Sequence, residues 1–144
     1  MASVRALDAV VKSGHIFVDD AGLIMKEYRR NLEGSGPPGP GRAFFRWLLT
    51  HEWGGTKVTR VALTPRAGDS HDFKELPKPT DGTVYDPSDR KFLAVAATHH
   101  ERPPILQAVD SKWWGWRNAL QEIGVEIHFL CETEIKRKYH EKMG

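Results

Sequence analysis

The order of strand-like and helix-like segments constrains this chain most. His15 to Val18 is a short apolar strand. Ala21 to Leu32 is a helix, with Leu23, Ile24, Tyr28 and Leu32 on one face and Asp19 or Asp20 available to cap it. Arg42 to Glu52 is a second helix, broken by Gly54-Gly55, and Lys57 to Leu63 is a valine- and threonine-rich strand. Pro87 fits the first turn of a helix running to about His100. Ile105 to Val109 is a strand, Trp113 to Ile123 a helix, and Val125 to Leu130 a last strand. A further helix, Val4 to Val11, precedes them. Such alternation argues for an α/β protein whose sheet is mostly parallel and lies between helices. Two stretches interrupt it. Gly34 to Gly41 holds too many prolines and glycines for helix or central strand. Thr64 to Gly82 reads as a polar excursion with one short turn near Phe73 to Leu76.

Four carboxylates fall where this order turns from strand to helix. Asp110 follows the Ile105 strand, Asp86 and Asp89 enter the helix at Arg90, and Glu27 lies early in the helix after the His15 strand. Strand C-termini and the following helix starts gather at one edge of a parallel sheet. Acidic groups collected there repel one another unless a cation compensates or some protonate. Hard divalent cations prefer oxygen, so Mg²⁺ or Mn²⁺ is the expected occupant. Each carboxylate also has a plain structural use. Asp86, Asp89 and Asp110 are placed to cap helices or favour their dipoles, and Glu27 is placed to pair with Arg30.

Composition narrows the partners. A chain of 144 residues with 40% apolar and 28% charged residues suits one soluble domain, and no stretch approaches a membrane span. The single Cys131 excludes an internal disulfide and suits a reducing cytoplasm. Net charge is only +2, but Arg29-Arg30 and the basic tail over residues 131–144 concentrate positive charge. Arg29, Arg30, Lys112 and Trp114 are the candidates to meet a phosphate backbone or an unpaired base. Of the three clustered tryptophans, Trp113 is expected inside and Trp114 more exposed. No glycine-rich phosphate loop follows a strand, which argues against a nucleotide-binding protein. The histidines show no ligand spacing.

Asp89-Arg90-Lys91-Phe92-Leu93-Ala94-Val95-Ala96, with small residues five and seven positions after the aspartate, resembles a motif of PIN domains. So does the Ile105 to Val109 strand running into Asp110-Ser111-Lys112-Trp113. Glu27 sits where that family carries a glutamate on the helix after its second strand. The resemblance spans essentially the whole chain and implies a three-layer α/β/α nuclease fold over residues 1–144. In that family acidic residues bind Mg²⁺ or Mn²⁺ and cleave phosphodiester bonds, most often in RNA, with DNA a further possibility. By resemblance Glu27, Asp89 and Asp110 are catalytic metal-site residues, with Asp86 added. Many small members are toxins held by a cognate antitoxin, and many are homodimers. The alternative is a PIN-like module that binds nucleic acid or a protein partner without turnover. The family opens on a short apolar strand ending in a metal-binding aspartate, and no such strand precedes Val4. Either the sequence begins one element late or the protein does without that strand. In both cases the His15 and Ile105 strands are expected to pair directly or to leave a slot between them.

Overall fold

The computed structural model describes residues 15–32, 39–54, 56–99, 105–107, 112–129 and 132–143. The expected helix Val4 to Val11 and most of the Gly34 to Gly41 tract lie outside these residues, as does Asp110. The chain is mixed α/β and divides into two compact units, Met1–Leu63 and Thr64–Gly144. Among the described residues no helix is long and apolar enough to cross a membrane.

In the first unit, β1 (Ile16–Asp19) leads through a tight turn into α1 (Leu23–Leu32). Gly22 adopts φ +85°, a left-handed conformation that glycine enters at little cost, and this lets the chain reverse within three residues. After α1 comes α2 (Pro40–His51), which starts two residues earlier than expected because Pro40 is accommodated in the first helical turn. The strand β2 (Val58–Val61) then pairs parallel with β1, in the register Ile16 to Val58 through Asp19 to Val61. Parallel pairing needs a long crossover, and the two helices supply it. The apolar positions of α1 and α2 meet: Ile24, Met25, Phe44, Phe45 and Leu48 are buried with Val18, Val58 and Val61. Tyr28 meets Phe44 edge-on at 6.0 Å between ring centroids.

The second unit opens with structure in place of the expected polar excursion. Strands β3 (Pro65–Arg66) and β4 (Asp69–Phe73) form an antiparallel hairpin, turned at Gly68 with φ +81°. What holds it is charge and one anchor. Arg66 pairs with Asp72 at 3.3 Å, Arg90 reaches Asp69 at 3.6 Å, and Phe73 is 2% exposed. A short 3-10 turn, Pro87–Asp89, then opens α3 (Arg90–Thr98), in which Leu93, Ala94, Val95 and Ala96 are all buried.

The strand β5 (Ile105–Gln107), the helix α4 (Lys112–Glu122) and the strand β6 (Ile127–Phe129) form a βαβ unit with β5 and β6 parallel. Gly124, at φ +79°, ends α4, and the Val125 N–H closes on the Leu120 carbonyl at 2.9 Å. The basic tail is itself a helix, α5 (Glu132–Met143), packed on α4. Contact is close because residue 115 is glycine: a Cβ there would stand 2.8 Å from the Tyr139 ring.

Among the described residues the parallel pairs are β1 with β2 and β5 with β6, one in each unit.

Candidate functional site

Asp19, expected as a possible cap of the helix that follows, does hold the start of that helix, although it was not among the expected site residues. It ends β1, one residue past the expected strand end at Val18, and it is 1% exposed. Among the described residues it is the one charged side chain in the buried class. Its Oδ2 accepts the Leu23 N–H at 2.9 Å and its Oδ1 accepts the Ile24 N–H at 2.8 Å, both at the start of α1. An ordinary N-cap bonds two or three residues ahead. Asp19 instead reaches four and five residues ahead, across the Gly22 turn. A carboxylate offers about four lone-pair sites, and two are used here. The signal in sequence was the run Ile16-Phe17-Val18-Asp19, an apolar strand closing on an acid.

A second acidic group sits at the entry to α3. Asp86 caps the 3-10 turn: its Oδ1 accepts the Ser88 N–H at 3.0 Å and the Ser88 hydroxyl at 2.8 Å. Asp89 stands at the N-cap position of α3, yet its side chain makes no capping bond. Its Oδ2 turns to Lys112 Nζ, 3.1 Å away, and the same ammonium lies 2.7 Å from Asp86 Oδ2. One cationic atom from the first turn of α4 therefore bridges two carboxylates. The Lys112 ammonium, with the two Ser88 donors, holds the Asp86 carboxyl well below the usual carboxylate range.

This depression has a sign for stability. The unfolded chain takes up the proton first, so the contribution is present above pH ~4 and is lost as pH falls below it. Asp86→Asn should flatten the fall in melting temperature between about pH 5 and pH 2. The pair is solvent-exposed, so the effect is expected under about 1 kcal/mol. An unchanged acid profile would show that the contact does not persist in solution.

Glu27 lies on α1 in the other unit, half-buried and 3.8 Å from Arg30, the pairing expected for it. Arg30 is exposed, and Arg29 lays its guanidinium 5.6 Å from the Phe45 ring centroid. Trp114 is not offered to solvent. It is 8% exposed, flanked by Arg117 at 4.2 Å and Lys136 at 5.8 Å, while Trp113 and Trp116 are also buried. The reason is α5: with a second helix against α4, the face expected to be open is covered.

Among the described residues no three His, Cys, Asp or Glu side chains gather as a metal site. A cleft of about 420 Å³ in the second unit is lined by Asp69, Asp72, Lys78, Tyr85 and Arg90, and its two acids are engaged by Arg66 and Arg90. No family model, curated protein or solved structure matches the chain.

Proposed function

We propose that the chain is a PIN-like nuclease that uses Mg²⁺ or Mn²⁺ to hydrolyse phosphodiester bonds, with single-stranded or structured RNA as substrate. The observation that carries this reading is Asp19, a buried aspartate held by two backbone donors at the end of an apolar strand. On this reading β1 takes the place of the family's first strand. By the family's pattern Asp19, Asp89 and Asp110 would then be its acidic residues, with Asp86 added. Glu27 drops out, because α1 follows the first strand and not the second. The three-layer arrangement of the family belongs to the same proposal.

The donor set fits a hard divalent cation. All the candidates are carboxylates, and Asp86 and Asp89 already converge on a cationic atom, the Lys112 ammonium. When bound, such an ion makes an attacking water acidic enough to serve near neutral pH. The protein's part is to hold the carboxylates. Asp19 is fixed by the backbone of α1, and Asp86 by Ser88.

The bridging Lys112 also supports a second reading, in which the acids are satisfied internally and the chain binds nucleic acid or a protein partner without turnover. Cleavage decides between them. A labelled single-stranded RNA should be cut in Mn²⁺ and left intact in EDTA. Asp110→Asn should slow the cut at least tenfold while the circular dichroism spectrum is unchanged. Equal cleavage by this variant would assign the activity to a contaminant and favour the non-catalytic reading.

A further inference from the structure

Trp53, in the turn after α2, is 75% exposed. An indole left in water gives the fold little hydrophobic return. Yet this one is supported: the Arg60 guanidinium carbon lies 3.7 Å from its ring centroid, close stacking distance. Arg60 is itself pinned. Its Nη1 donates to Glu52 Oε2 at 3.2 Å and its Nη2 to the Asp20 carbonyl at 2.6 Å. Arg60 stands opposite Val18 in the β1–β2 ladder, and Asp20 directly follows Asp19. The guanidinium is thus tied to the edge of the sheet where Asp19 lies, and the indole rests on the guanidinium.

We propose that Trp53 is a stacking platform for an unpaired nucleobase of a single-stranded nucleic acid, preset by Arg60 beside the end of β1. The inference rests on the nuclease reading for its choice of ligand and adds a binding residue to it. Three features favour a base over an apolar protein segment. The ring is planar and held with one face on a fixed cation, so little rotamer entropy is lost on stacking. Its supports are polar, a guanidinium bound by a carboxylate and a carbonyl, where the centre of a protein interface would be apolar. And it stands at the sheet edge that carries the buried aspartate.

The test uses the full chain in EDTA, where cleavage is silent, with a fluorescein-labelled oligouridylate of about ten nucleotides followed by anisotropy. Trp53→Ala should weaken binding roughly 5- to 100-fold, and Trp53→Phe should stay within about threefold of the wild type. Both should melt with the wild type, since the indole is largely outside the core. Unaltered binding by Trp53→Ala, with Mn²⁺-dependent cleavage retained, would overturn the platform and leave the nuclease reading standing. A wild-type chain that neither binds nor cuts would overturn both. Loss of self-association in Trp53→Ala at unchanged oligonucleotide affinity would make the indole a protein contact and end the proposal.

Discussion

Asp19→Ala is expected to lower the stability of the first unit by about 2–4 kcal/mol. The variant strips the Leu23 and Ile24 N–H groups of their acceptor, and an unmet buried donor costs about 1–3 kcal/mol. The Leu23 group is only part-buried, so water recovers some of its loss, which sets the upper end. A shift of this size lowers the melting temperature by about 10 °C or more in a unit this small. Asp19→Asn is the sharper probe of function. Its carbonyl keeps one of the two bonds, while its amide brings a donor against the other N–H, so it should be destabilised less than Ala. If Asp19 also holds the cation, Asp19→Asn should lose about a hundredfold or more of Mn²⁺-dependent cleavage at a temperature where it is fully folded. Thermal melts with and without Mn²⁺ separate the two roles. A purely structural Asp19 predicts the same Mn²⁺ shift in wild type and variant. A metal-holding Asp19 predicts a shift that the variant lacks. Wild-type cleavage by folded Asp19→Asn would remove the residue from the site.

The path to Asp19 shows what the sequence makes legible. Strand and helix order is visible from residue pattern: Ile24 and Tyr28 stand four apart, the spacing of one helix face, and Val58-Thr59-Arg60-Val61 is rich in β-branched residues. Ends are less visible. Val18 is the last apolar residue of β1, but the ladder runs one residue on, since Asp19 meets its polar needs through the backbone of α1. That one-residue difference decides whether β1 reads as a strand ending in an aspartate. The hairpin over Pro65–Phe73 was hidden for a similar reason. It is held by Arg66–Asp72 and Arg90–Asp69 pairs that close only in three dimensions, and its sequence alternates weakly. Trp114 was misread because burial on α4 depends on α5, whose packing is permitted by Gly115. The acidic pair was legible as a pair. Its partner was not, because Lys112 lies far along the chain from both acids.

Lys112 bears the last prediction. Repulsion between Asp86 and Asp89 demands a positive charge, and the fold meets that demand with a tethered ammonium 2.7 and 3.1 Å from the two oxygens. A unit charge in that position opposes any divalent ion approaching the same carboxylates, since charges a few ångströms apart near a protein surface interact by about 4 kcal/mol per unit pair before screening. Lys112→Met keeps the length of the side chain and removes the charge. Without metal it should melt below the wild type, most clearly at low ionic strength, where the carboxylates are least screened. With Mn²⁺ it should recover, and its Mn²⁺ affinity by isothermal titration should exceed that of the wild type by about tenfold or more. Lys112→Arg should behave like the wild type in both measurements. Equal Mn²⁺ affinity in the wild type and Lys112→Met would mean that the ammonium and the metal do not share these oxygens, and would take Asp86 and Asp89 out of the metal set. If Lys112→Met instead melts low and Mn²⁺ does not restore it, the pair serves the fold alone, and the binding module without turnover becomes the better account of this chain.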